Sequence, residues 1–150
     1  MRLSLVAAIL LISTTVYAQE PVTKWADAVS WGTAFVNPTV ATVEALRSDQ
    51  KGCRLGKIAL SEGIANGLAL TMKHFILSPR PCLGCLPDGM PSGHSANSMI
   101  GASGWRYGIV LGATTGSLRM QANRHTPTQV AAGLLLGAGA EFAGRLIHCP

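Results

Sequence analysis

The sequence predicts an all-α protein: a single compact helical bundle of five to six helices behind an N-terminal signal peptide. Three observations carry this. No stretch alternates apolar and polar residues for long, and β-branched residues are not clustered. Apolar residues recur at helical spacing between breakers at Asn37-Pro38, at the polar turn Ser48-Asp49-Gln50-Lys51-Gly52 and at Pro79. Thr126-Pro127 supplies a strong helix start, with threonine at N-cap and proline at N1.

Residues 1–18 read as the signal. Arg2 gives a basic n-region, Leu3 to Ile12 an apolar h-region, and Val16-Tyr17-Ala18 small residues at the cleavage positions. The apolar run is shorter than the roughly 20 residues a membrane span needs. Residues 19–150 then form one helical domain. A first helix is expected from Thr23 to Val36, broken by Asn37-Pro38, and a short second one from Thr39 to Ser48. A long third helix fits Arg54 to Leu77, with Ile58, Ile64, Leu68, Leu70, Met72 and Phe75 apolar. Glu62, Asn66 and Lys73 interrupt that surface, which argues against a lipid-facing span. Pro79 to Pro91 is a loop with an Asp88-Gly89 turn signal, and the part from Cys82 to Met90 is expected to roof a pocket. Further helices start near Ser92 and Tyr107. The last runs from Pro127 to about Ile147, and its Gly133, Gly137 and Ala140 predict tight helix packing rather than a dimer contact.

The chain has 150 residues and a formal net charge of +5. A mild basic excess suits an anionic ligand or a membrane surface. It is not a nucleic-acid signature, because the basic residues are scattered and no tract interleaves them with aromatics. Four cysteines, Cys53, Cys82, Cys85 and Cys149, allow three disulfide pairings. Export favours structural bridging over a redox pair or a zinc site. No Asp/Glu cluster suggests a metal, and no cofactor is expected.

Three basic or histidine-bearing segments stand out. Lys73 lies near a helix end, and Arg80 is held between Pro79 and Pro81. Taken alone, such a pair is solvated charge that favours the helix dipole. Pro91-Ser92-Gly93-His94-Ser95 combines an N-cap serine with a glycine and a histidine. Amides at a helix start favour an anion, and His94 would stand beside it as a proton donor; alone it is a capped helix with an exposed histidine. Arg119 would close a helix, and His125 precedes the N-cap of the last one; alone these are a helix-end arginine and a loop histidine.

Together, Lys73-x6-Arg80-Pro81, Pro91-Ser92-Gly93-His94 and Arg119-x5-His125 closely resemble the ordered motifs of the type 2 phosphatidic acid phosphatase and vanadium haloperoxidase superfamily, over Lys73 to Gly133. The resemblance implies a helical bundle and a phosphohistidine mechanism. It implies that Lys73, Arg80 and Arg119 bind phosphoryl oxygens, that Ser92 and the Gly93 backbone complete the cradle, that His125 attacks phosphorus, and that His94 protonates the leaving group. A phosphoryl group in flight needs fixed cations and amides above all, and three cations make a divalent metal unnecessary.

The chain departs from the pattern at one position. The aspartate that follows the third-motif histidine in the family is Gln129 here. Its amide oxygen can accept from the His125 ring but carries no charge. Thr126-x-x-Gln129 also fits a capping box, which competes for the same oxygen. Glu62 and Glu141 lie on helices that could face the cluster and supply a carboxylate. Gln129→Asp is expected to raise turnover.

The segment between His94 and Arg119 must form two helices of about 11 residues, each roughly 16 Å long, against a hydrocarbon core of about 30 Å. Arg106 falls at their junction. A periplasmic or secreted domain, with peripheral membrane contact open to it, is therefore expected. Ile109-Val110-Leu111 and Leu134-Leu135-Leu136 are the candidate contact points, with core packing the preferred reading. The expected activity is a metal-independent phosphatase for a phosphomonoester or diphosphate, on a lipid or small organic phosphate. The alternatives are a catalytically weakened phosphate- or lipid-binding protein and a vanadium-dependent haloperoxidase.

Overall fold

Helix α1 (Lys24–Leu46) runs straight through Asn37-Pro38, where the sequence predicted a break. Proline removes one helical donor and crowds the preceding turn. The helix survives because tertiary contacts hold it there. Asn37 and Pro38 are both buried, and Asn37 Nδ2 donates to the Ser98 carbonyl at 2.6 Å. The computed structural model describes residues 21–101 and 105–150, with no side-chain account of Trp105 and Arg106. The expected signal peptide and its cleavage point lie outside the described residues.

Four more helices follow: α2 (Lys51–Phe75), α3 (Gly93–Asn97), α4 (Trp105–Gln121) and α5 (Pro127–Arg145). There is no strand among the described residues; Ser78 and Asp88 form an isolated bridge within the 76–91 loop. The segment before Arg119 divides unequally, into the five residues of α3 and the 17 of α4, rather than into two similar helices. No helix among the described residues is long and apolar enough to cross a membrane.

Short α3 is the hub, touching each of the other four helices, while α1 pairs with α4 and α2 with α5. Its composition permits this. Ser95, Ala96 and Asn97 are all buried and small. A Cβ added at Gly133 would strike the Ser92 carbonyl, and one at Gly137 the Ala96 carbonyl. The glycine series of α5 therefore serves close backbone approach, as expected. The core around it is small-residue too, with Ala65, Ala96, Ile100 and Ala140 in one cluster and Ala26, Leu118 and Ala122 in another.

Disulfides join Cys53 to Cys149 and Cys82 to Cys85. The first ties the start of α2 to the chain end. The second closes the tip of the loop. The two apolar runs split by helical geometry: Ile109, Val110 and Leu135 are exposed, whereas Leu111, Leu134 and Leu136 are partly buried. The preference for core packing therefore holds for only half of these side chains.

Candidate active site

Six of the predicted residues, Lys73, Arg80, Gly93, His94, Arg119 and His125, line one cavity of about 280 Å³. A volume just below the roughly 300 Å³ at which drug-sized pockets begin suits a small ionic group. A larger cavity of about 500 Å³ lies elsewhere, bordered by Glu44, Arg54, Lys57 and Glu141, and shares none of these residues.

The first motif brings two cations. Lys73 sits in the last turn of α2. After Phe75 the chain extends, and Pro79 and Pro81 restrict the backbone on both sides of Arg80. Asp88 holds both cations without lining the cavity. Its carboxylate lies 2.8 Å from Arg80 Nε and accepts from Arg80 Nη2 at 3.0 Å. Lys73 Nζ donates to the Asp88 carbonyl at 2.9 Å.

The second motif begins α3. Ser92 is its N-cap, as expected, but it faces inward and is fully buried. Its hydroxyl accepts from Ser95 N at 3.4 Å and Ser95 Oγ at 3.0 Å, and its amide donates to the Gln129 carbonyl at 2.9 Å. The amide and the accepting side of the hydroxyl are thus engaged by the scaffold. Ser92 does not line the cavity; through these bonds it positions Gly93 and His94, which do. The Ser92–Gln129 bond also draws the starts of α3 and α5 together, which sets His94 and His125 on the same cavity.

The third motif closes α4. The amides of Arg124 and His125 donate to the Arg119 carbonyl at 3.0 and 3.3 Å, so a tight turn gathers all three residues. Buried Arg119 places Nη1 2.5 Å from Asp27 Oδ1 and 3.2 Å from Ser30 Oγ. Arg124 Nη2 donates to Asp27 Oδ2 at 2.8 Å. One carboxylate from α1 thus bridges two guanidinium groups.

His125 is buried, and its Nδ1 lies 3.0 Å from the Gly89 carbonyl and 3.3 Å from Gln129 Oε1. A carbonyl only accepts, so Nδ1 carries the proton and Nε2 the lone pair. Gln129 does not line the cavity. Its Oε1 accepts from Thr126 N at 3.0 Å, completing the expected capping box. Its Nε2 donates to Ser78 Oγ and to the Pro79 carbonyl, both at 2.8 Å. The same side chain therefore caps α5, leans on His125 and anchors the segment that carries Arg80.

Burial, with the charges of Arg119, Arg80 and Lys73 behind it, pushes His125 down to about 3. His94 falls to about 4, through burial first and Arg119 second. His94 Nε2 is buried without a hydrogen-bond partner among the described residues, and its ring meets Trp31 edge-on at 4.1 Å. Lys73 is lowered by burial and by Arg80, and Arg119 by burial to about 10. Burial alone would raise Asp27, but hydrogen bonds and charge from Arg124 and Arg119 outweigh it and hold the carboxyl below its ordinary value.

Glu62 and Glu141, expected as candidates to face the cluster, do not line this cavity. Glu62 accepts from Asn66 at 2.7 Å, and burial raises its carboxyl. Glu141 accepts from the Gly101 amide and from Arg145 Nε, each at 2.9 Å. Sequence reasoning missed Asp27, Trp31 and Arg124 on the cavity wall and Asp88 behind it. Arg124, adjacent to His125, was the one with a local signal. Among the described residues no three His, Cys, Asp or Glu side chains cluster so as to hold a metal ion.

Comparison with family models, curated proteins and solved structures returns no match.

Proposed function

We propose that this protein is an exported, metal-independent phosphatase that cleaves a phosphomonoester or diphosphate through a phosphohistidine on His125. The observation that carries the reading is the His125 ring. Its Nδ1 proton is committed to the Gly89 carbonyl, and the residue lines a cavity shared with Lys73, Arg80 and Arg119. A nitrogen lone pair among fixed cations is the arrangement that in-line attack on a phosphoryl group requires. Nε2 would form the bond to phosphorus as the bond to the leaving oxygen breaks. His94, on the same cavity, would give that oxygen its proton and then take one from the hydrolytic water. Bound substrate assists here, because a phosphoryl anion offsets the surrounding cations and raises both histidines.

A second reading, a phosphate-binding protein without turnover, is favoured by one observation. Gln129 gives the imidazolium no negative charge, and both histidines lie far below neutral pH in the free site. One assay separates the two. The purified protein is tested with p-nitrophenyl phosphate in EDTA beside His125→Ala. Hydrolysis that survives EDTA and disappears in the variant supports the phosphatase. Phosphate binding without hydrolysis by the unsubstituted protein supports the second reading. Inhibition by vanadate would fit the first, because a trigonal oxyanion resembles the transition state.

A further inference from the structure

The segment 75–86 carries an unusual density of bare hydrocarbon. Phe75 and Leu77 are each 77% exposed, Leu86 73% and Leu83 67%. Elsewhere among the described residues only Leu70 and Leu135 reach the same exposure. Such a concentration of exposed apolar side chains in one short segment is the mark of an interaction surface.

These side chains stand on a stiff frame. The Cys82–Cys85 disulfide closes the loop tip. Ser78 N donates to the Pro87 carbonyl at 3.0 Å, and Gly89 N to the Ser78 carbonyl at 2.8 Å, which ties the two arms together. A surface fixed before contact has little conformational freedom to lose on binding.

The same segment is built into the anion cavity. Lys73 just precedes it and Arg80 lies within it, both lining the cavity, and Arg124 Nη1 lies 3.7 Å from Cys85 Sγ. Four cations gather there, Lys73, Arg80, Arg119 and Arg124, against the two carboxylates Asp27 and Asp88. Leu83 and Leu86 do not line the cavity; they lie in the loop on either side of Cys85, which touches the lining residue Arg124.

We propose that this rim seats the protein on an anionic lipid bilayer, with Phe75, Leu77, Leu83 and Leu86 entering the headgroup boundary and the cavity's cations facing the lipid anions. The inference rests on the anion-cradle half of the proposed function and not on turnover. The occupant must offer hydrocarbon and a plane of negative charge together, and a bilayer does so over any area. The contact is interfacial, because no described helix is long and apolar enough to cross. Side chains of this kind bury about 5–10 Å deep at the acyl boundary, aided by attraction to anionic lipid.

The full chain is sedimented with vesicles of phosphatidylcholine alone and of phosphatidylcholine mixed with phosphatidylglycerol. Leu83→Asp combined with Leu86→Asp is compared with Leu135→Asp, an equally bare leucine on α5. The expected result is co-sedimentation with the phosphatidylglycerol vesicles that weakens with salt. It falls about tenfold or more in the double variant, in line with the loss of two buried leucines, and persists in Leu135→Asp. Absence of binding by the unsubstituted chain overturns the proposal, as does equal loss in both variants or no loss in the double variant. Self-association that depends on Leu83 and Leu86, with vesicles ignored, assigns the rim to a second copy and also overturns it. Circular dichroism checks folding, and Leu83→Ser with Leu86→Ser repeats the test if the aspartates disturb it. Hydrolysis of p-nitrophenyl phosphate, which needs no membrane, is measured on the same samples. Vesicle binding without hydrolysis removes the phosphatase and leaves this inference standing; hydrolysis without vesicle binding does the reverse.

Discussion

His125 donates its Nδ1 proton to the main-chain carbonyl of Gly89 at 3.0 Å. That bond performs half of what a catalytic carboxylate does: it fixes the tautomer and the ring, but it adds no negative charge. The sequence alone suggests that Gln129→Asp would restore the missing half and raise turnover. The contacts of Gln129 argue for the opposite outcome. Gln129 Nε2 donates to Ser78 Oγ and to the Pro79 carbonyl, and aspartate is shorter and has no donor. Gln129→Asp should cost about 1–3 kcal/mol, since it leaves buried acceptors unpaired. It should also lower turnover, because Arg80 is carried by the segment that is released. Urea unfolding and p-nitrophenyl phosphate hydrolysis check this. A stable variant with faster turnover would show that charge at this position outweighs anchoring.

Asp27 is the keystone of the cation cluster, since its two oxygens hold Arg119 and Arg124. Removing one partner of a buried ion pair leaves the other charge uncompensated. Asp27→Asn should therefore lose about 3 kcal/mol of stability. The loss should be largely recovered by orthophosphate, which binds the folded state alone and offers the anion that Asp27 withdrew. Thermal melts with and without phosphate decide the matter. Equal phosphate stabilisation in the variant and the unsubstituted protein would place the anion away from Arg119.

The pH profile follows from the two histidines. On the proposed mechanism His125 would attack when neutral, which holds above about 3, and His94 would donate when protonated, which holds below about 4. Since kcat/KM reports the free enzyme, it should fall as pH rises above about 4, giving an acid optimum. Stability runs the other way. Both histidines have folded values below the ordinary one, so the unfolded chain takes up protons first. Their contribution is complete above about 6.5 and is lost as pH falls toward 4. Urea midpoints at about pH 7 and about pH 5 should therefore drop with acid, and bound phosphate should narrow the gap.

Much of this site was legible because its parts are local. The spacing from Lys73 to Arg80, the Ser92-Gly93-His94 run and the Arg119–His125 pair each lie within a turn or two of a helix end. A helix start or a proline fixes where such side chains can go. The illegible parts are contacts between distant segments. Asp27 meets Arg119 across 92 positions, and Asn37 meets Ser98 across 61; the second contact carries α1 through Pro38. The acceptor for His125 is a backbone carbonyl, which leaves no mark in the sequence beyond the glycine itself. That Ser92 stays off the cavity wall is likewise illegible, because an N-cap hydroxyl and a ligand hydroxyl look alike until the partner is seen. The fold class was legible all the same, since the small residues Gly133, Gly137 and Ala140 already demanded close helix packing.

The two disulfides separate stability from function. Cys53 and Cys149 are 96 positions apart, so by loop entropy their bond restrains the unfolded chain by about 4.5 kcal/mol. Cys82 and Cys85 are three apart, a closure worth about 2 kcal/mol on the same scale. Their placement inverts that order of importance for the site. Cys149 borders the larger cavity, away from Lys73 and His125. Cys85 touches Arg124, and its loop carries Asp88, which holds Arg80. Replacing Cys53 and Cys149 by serine should lower the urea midpoint more but leave phosphate affinity unchanged under conditions where the variant is folded. Replacing Cys82 and Cys85 should cost less stability and weaken phosphate binding several-fold, because Arg124 and Arg80 lose their frame. Calorimetric titration with orthophosphate on both folded variants distinguishes the two effects, and equal affinities would show that the loop staple has no part in shaping the cradle.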